Sequence, residues 1–272
     1  GIAPHLALAT LPTALVVVGT ALAAMPASLF SRRVGRKAGF LCGTVLAAAS
    51  GAACTASIYL ESFWLLALGG LLFGFFAGFA QLYRFAVADV ASEAFRPRAI
   101  SLVLAGGVFA GLAGPRLADW GEHLISSQQF MGGFLFMIAV ALLAALTLMF
   151  LSIPNLTKKQ LEGPQRSLLE IMKQPVFIAA AISATIAQTV MNFLMTATPI
   201  AMIHICGHSF GSMTSVIGWH TVAMFAPGFF TGNLIKKFGE IKMITAGLIL
   251  EGACIAIALA GIEVMNFWLA MF

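Results

Sequence analysis

Eight stretches of this chain are each long and apolar enough to cross a bilayer, and that constrains the fold before any motif is read. A helix needs roughly 20 mainly apolar residues to span the hydrocarbon core. The stretches are Ala7–Phe30, Gly39–Tyr59, Phe63–Val90, Ala99–Ala118, Phe130–Ile153, Val176–Ile203, Met213–Ile235 and Ile241–Gly261, and Met265–Phe272 opens a ninth. Lipid offers backbone N–H and C=O groups no partner, so each span must satisfy its own as a helix. A barrel would need short alternating strands, whereas these runs are continuously apolar. Only 9% of residues are charged and 60% are hydrophobic, with a mean hydropathy of +0.98. Soluble domains carry about a quarter charged residues. The expected fold is therefore all-α, a polytopic transmembrane helical bundle of eight complete spans and part of a ninth.

The charges that remain are sorted. Eight crossings put successive loops on alternating sides. One side collects Arg32, Arg33, Arg36, Lys37, Arg84, Arg96, Arg98, Lys158, Lys159, Arg166, Lys173, Lys236, Lys237 and Lys242, which is fourteen of the fifteen basic residues. The other holds Arg116 alone among basic residues, together with Glu61, Asp119, Glu122 and Glu263. Lys and Arg concentrate on the cytoplasmic side, so the first set marks that face. The net charge of +5 is thus explained by membrane orientation, and no nucleic-acid partner is expected. Leu6 to Phe30 lacks the basic leader and cleavage signal of a secretory peptide. Cys42, Cys54 and Cys254 lie in apolar runs and Cys206 in a short loop, as structural thiols do.

A basic turn occurs twice. Ser28-Leu29-Phe30-Ser31-Arg32-Arg33-Val34-Gly35-Arg36-Lys37 links the first two spans, and Gly232-Asn233-Leu234-Ile235-Lys236-Lys237-Phe238-Gly239-Glu240-Ile241 links the seventh and eighth. Each carries a basic pair with a glycine two residues on. The recurrence predicts two related halves. Residues 1–154 form an incomplete N-terminal bundle, 155–175 a polar cytoplasmic linker, and 176–272 a truncated C-terminal bundle. Ser167–Met172 is a candidate surface helix within the linker.

Together these features resemble the major facilitator superfamily of secondary transporters. That family has twelve helices in two six-helix halves, with basic turns after its second and eighth helices. The resemblance places this chain from the second helix to the tip of the tenth, as an internal segment of a bacterial permease in the cytoplasmic (inner) membrane. Gly106, Gly107, Gly111, Gly114 and Pro115 resemble the family's fifth-helix motif, and Gln81–Asp89 resemble one group of bacterial permeases. By the same resemblance Arg32, Arg33, Gly35, Arg36, Lys37, Lys236, Lys237 and Gly239 are cytoplasmic gating turns. Arg32 and Lys236 stand where the family usually has aspartate, and Gly74 stands where its fourth-helix arginine would fall. Ala118 and Asp119 replace common glycines.

Residues that could carry chemistry are few. Gly70, Gly74 and Gly78, and again Gly107 and Gly111, are spaced for close helix packing in lipid. Glu251 lies ten residues into its span, about 15 Å deep at 1.5 Å per residue, where a carboxyl either carries a proton or locks helices together. Arg84 and Asp89, on the family's cavity-lining fourth helix, project roughly 140° apart. Arg84 either holds an anionic solute group or snorkels to headgroups. Asp89 pairs with a neighbouring helix, exchanges a proton, or sits beside Arg96 or Arg98. Gln81 and Tyr83 are further cavity candidates. Gln188, Asn192 and Thr196 form a polar stripe on the sixth span, with Thr198 beyond them and Pro199 as a hinge. His220 could titrate near neutral pH or simply pack.

Two patterns are set aside. Gly207-His208-Ser209-Phe210-Gly211 matches the hydrolase nucleophile elbow, but no acid followed by a histidine comes after it. His204-x-Cys206-x-His208 has ligand types without a metal-site spacing, and no metal is assigned. Nor is there a phosphate-binding loop, so ATP-driven pumping and bound cofactors are not expected. The reading is a monomeric, non-enzymatic secondary transporter that moves a small solute by alternating access with protons, efflux preferred over uptake. The alternative is a non-transporting sensor or scaffold on the same fold.

Overall fold

The structure, a computed structural model, describes residues 4, 5, 8–93, 95–125, 128, 130–153 and 167–271. Most of the expected linker, with Lys158, Lys159 and Arg166, lies outside the described residues. The described chain is helical throughout, without a strand among the described residues.

The helices are α1 (Leu11–Val34), α2 (Arg36–Tyr59), α3 (Phe63–Ala80), α4 (Tyr83–Val90), α5 (Arg96–His123) and α6 (Met131–Phe150), followed by the short α7 (Leu168–Met172). Beyond it come α8 (Pro175–Ile200), α9 (Phe210–Phe225), α10 (Gly228–Phe238), α11 (Glu240–Ala260) and α12 (Val264–Met271). Among the described residues seven helices are long and apolar enough to span a membrane, with α3 and α4 taken as one. The protein is an integral, multi-pass membrane protein.

Two expected spans are interrupted. The third pauses at Gln81–Leu82, where both residues keep right-handed helical angles, so α4 continues α3. The seventh breaks at Ala226–Pro227 into α9 and α10. A proline ring clashes with the carbonyl four residues before it and offers no N–H, which ends α9 there. Pro199 behaves differently from the expected hinge. The helix runs on to Ile200 and widens into a π-helical turn at Ala201–Ile205, closed by Cys206 N–H donating to Ala201 O at 2.9 Å. Lipid penalises an unpaired backbone, so the helix re-registers instead of opening.

The repeated turn has one backbone solution. Gly35 (φ 107°, ψ 150°) separates α1 from α2, and Gly239 (φ 86°, ψ 158°) separates α10 from α11. This region is essentially restricted to glycine. It lets one helix end and the next begin with a single residue between them.

Packing in the first half is built on small residues. Gly70, Gly74 and Gly78 of α3 lie against α1, where a Cβ at each would strike Pro12 O, Val16 O and Ala23 Cβ respectively. On the other side of α3, Ser50 of α2 donates to Gly69 O at 2.7 Å. Van der Waals contact and such hydrogen bonds hold helices together where hydrophobic burial gives no driving force. α2 also packs on α6, and α5 on both α4 and α6.

The main contact between α1–α6 and the later helices is α5 against α9. A Cβ at Gly107 would meet the Phe225 ring, one at Gly111 the backbone of Gly218 and Val222, and one at Gly218 the Pro115 ring. Gly114, on the same helix, faces open space. α12 closes onto this side through a buried cluster of Met202, Val216 and Met271.

Candidate functional site

Side chains gather in two places: at the first basic turn, within α1–α4, and at the α5–α9 seam. At the turn, Arg36 forms an ion pair with Asp89 near the end of α4. Arg36 is 12% exposed and Asp89 41%, so the cation is the more buried partner. Lys37 Nζ donates to Met149 O at 2.7 Å, and Arg96 Nε to Ala88 O at 2.9 Å. The turn is thereby tied to the ends of α4 and α6, and α4 to the start of α5. Tyr83 packs edge-on to Phe40 at 4.5 Å, and the Arg84 guanidinium lies 5.0 Å over the Phe85 ring. Arg32, Arg36, Ser28, Ser31, Phe40 and Phe85 border a cavity of about 290 Å³ here.

This arrangement answers the missing aspartate of the turn. The acid comes instead from α4, fifty-three residues along the chain. Arg96 takes a backbone carbonyl rather than Asp89.

The seam holds a second cavity, of about 250 Å³, between α5 and α9. Arg116 and Asp119 of α5 line it, facing Thr214, Ser215 and Trp219 of α9. Neither Arg116 nor Asp119 has a hydrogen bond or ion pair among the described residues. Trp219 packs against Trp268 of α12 with ring centroids 5.3 Å apart. His220 Nδ1 lies 2.5 Å from Met271 O, which requires that nitrogen to carry the proton, while Nε2 is buried without a partner among the described residues. Phe130, just before α6, and Phe210, the first residue of α9, have ring centroids 5.1 Å apart.

Of the remaining candidates, Thr198 shares Met271 with His220, and the others stand apart from both cavities. Asn192 Nδ2 donates back to Gln188 O at 2.8 Å within α8, Gln188 is exposed, and Thr196 is half-buried. Thr198 is buried against the Met271 sulfur at 3.6 Å. Glu251 is exposed on α11, and Gln81 is exposed at the α3–α4 junction. His208 Nε2 bonds Ile262 O at 2.9 Å, and no His, Cys, Asp and Glu cluster fit for a metal occurs among the described residues.

The pocket residues Arg116, Asp119, Thr214, Ser215 and Trp219 were not among the sequence candidates. Their signal was present, since Arg116 is the single basic residue on the outer side of the charge sorting.

A polytopic helix bundle with a charge-tied basic turn and a polar cavity across its seam has the build of a solute transporter. Residues 3–272 match the Major Facilitator Superfamily, and the chain belongs to that family of membrane transporters, not to an enzyme class. It is 40% identical over 268 residues to the Riboflavin transporter RfnT of Brucella anthropi, covering 97% of this chain and 67% of that protein. It is 31% identical to the uncharacterized MFS-type transporter YddS of Bacillus subtilis, covering 93% of this chain and 61% of the relative. Against YdeG of the same organism the identity is 28%, with 93% and 62% covered. The chain thus spans about two thirds of the length of the curated relatives it matches.

Proposed function

We propose that the protein containing this chain is a secondary active transporter of a flavin-like solute. Transport proceeds by alternating access about the α5–α9 seam and is coupled to protons, in a bacterial inner membrane. The observation that carries the reading is the seam itself. Glycines there let two groups of helices meet backbone to backbone, and Arg116 and Asp119 line a cavity at one end of it. Such an interface can rock without repacking large side chains. The Arg36–Asp89 pair serves as a latch between the first turn and α4, within the first group of helices. His220, held at Nδ1 and with Nε2 buried without a partner among the described residues, is the proton-coupling candidate that supports this reading best. Glu251 is the second. The flavin class rests on the 40% identity to a protein named for riboflavin. On sequence grounds export is preferred to import.

The test is flux. Protein expressed from the complete gene is reconstituted in liposomes, riboflavin is loaded inside or outside, and a pH gradient is imposed in each direction. Saturable flux that accelerates with the gradient is expected. Absence of riboflavin flux overturns the solute, and flux that ignores the gradient overturns proton coupling.

A further inference from the structure

We propose that the outer cavity between α5 and α9 is a recognition site for a neutral, planar heteroaromatic ring whose edge carries both hydrogen-bond donors and acceptors. This rests on the flavin reading and names how that solute is held. It also places recognition on α5 and α9, apart from the cavity-lining fourth helix that the family resemblance assigns to Arg84 and Asp89.

Three observations converge. First, Arg116 is the one basic residue that breaks the charge sorting. An ionisable group in a spanning segment is costly and is retained where it faces a cavity or partner. Arg116 does line a cavity. Second, Asp119 stands one turn further along α5 and lines the same space, yet the two charges are not paired with each other or with any described residue. Residues three apart share a helix face and could meet. Instead they offer the cavity a donor-only guanidinium and an acceptor-only carboxylate side by side. Thr214 and Ser215, across the cavity on α9, can act as either. Third, the Trp219 indole is 40% exposed and backed by Trp268. A held, accessible indole is a stacking platform.

The paired charges also set what is refused. Arg116 and Asp119 sum to zero, so an uncharged ring with a mixed edge matches both. A ring bearing a phosphate dianion finds no net positive charge in this space of about 250 Å³ to offset the cost of desolvating it. Riboflavin should therefore bind and its phosphate should not.

The experiment uses protein from the complete gene in detergent micelles, reading riboflavin fluorescence quenching, with flux in liposomes beside it. Arg116→Gln and Trp219→Leu are expected to weaken riboflavin binding at least about ten-fold each, as loss of a charged hydrogen bond or a buried aromatic contact does. Trp219→Phe should retain most of it. Asp119→Asn should narrow the preference for riboflavin over riboflavin phosphate. In a Cys206→Ser background, riboflavin should protect Thr214→Cys from an impermeant thiol reagent added outside, and Glu61→Gln, outside the cavity, should bind as wild type does. Elution as a single species shows that each variant is folded. If the wild type binds riboflavin, Arg116→Gln and Trp219→Leu each bind it within about two-fold of the wild type, and position 214 is not protected, the site is overturned and the transport reading stands. Failure of the wild type to bind or carry riboflavin overturns both.

Discussion

Replacing Gly74 with valine abolishes folded protein: in detergent extracts the variant is expected to elute as aggregate, while Gly106→Ala elutes and melts as wild type does. The difference follows from what each position touches. A Cβ at Gly74 would press on Val16 O and lie 2.8 Å from Gly19 Cα and 2.9 Å from Thr20 N. All three are helix backbone atoms that no rotamer change can move. Inserting methylenes into packed cores costs about 1–3 kcal/mol even where side chains can yield. Here relief requires α1 and α3 to separate along their whole contact, which also displaces the neighbouring Gly70 and Gly78 contacts. At Gly106 nothing lies within 4 Å, and alanine improves helix propensity by roughly 1 kcal/mol. A Gly74→Val protein with wild-type elution and melting temperature would refute the close α1–α3 contact.

The second large effect is at the first basic turn. Asp89→Asn is expected to lower riboflavin flux about ten-fold or more while leaving the protein folded, within the range of coupling energies typical of conformational switches. Arg36 is the more buried member, so removing Asp89 strands a cation that is 12% exposed. Stranding a buried charge is more costly than losing an exposed pair. The exchange Arg36→Asp with Asp89→Arg restores the pair and should recover much of the flux. If Asp89→Asn carries solute at the wild-type rate, the pair is structural decoration and not a latch.

The spans were readable because lipid leaves a long apolar segment no alternative to a helix. Their interruptions were less so. Pro227 sits inside the apolar run Met213–Ile235 and carried the signal for the α9–α10 break, but apolar continuity masked it. Pro199 looked like an equal breaker, and the backbone's need for partners turned it into a π turn. The glycine in each basic turn was visible as a repeat, whereas its shared left-handed conformation required the backbone itself.

Pairings across the chain were the least legible part of the site. Asp89 was expected to pair with a neighbouring helix or to sit beside Arg96 or Arg98. Which helix supplies its partner depends on how α4 leans against the first turn, and no spacing encodes that. The seam glycines divide in the same way: Gly107 and Gly111 meet α9, while Gly114 points to open space. In the sequence Arg116 stands out only as an exception to a rule about orientation, and it is the fold that sets Thr214, Ser215 and Trp219 of α9 opposite it.

One measurement bears most directly on the whole account: the sidedness of single cysteines in intact, oriented cells. Cysteines placed at Arg33 and Lys237, in the two repeated turns, should react with an impermeant reagent only after the cytoplasmic face is exposed. Cysteines at Glu61 and Gly207 should react from outside. Reactivity of Arg33→Cys and Lys237→Cys from opposite faces would contradict the two-half membrane topology on which the seam, the latch and the outer cavity all depend.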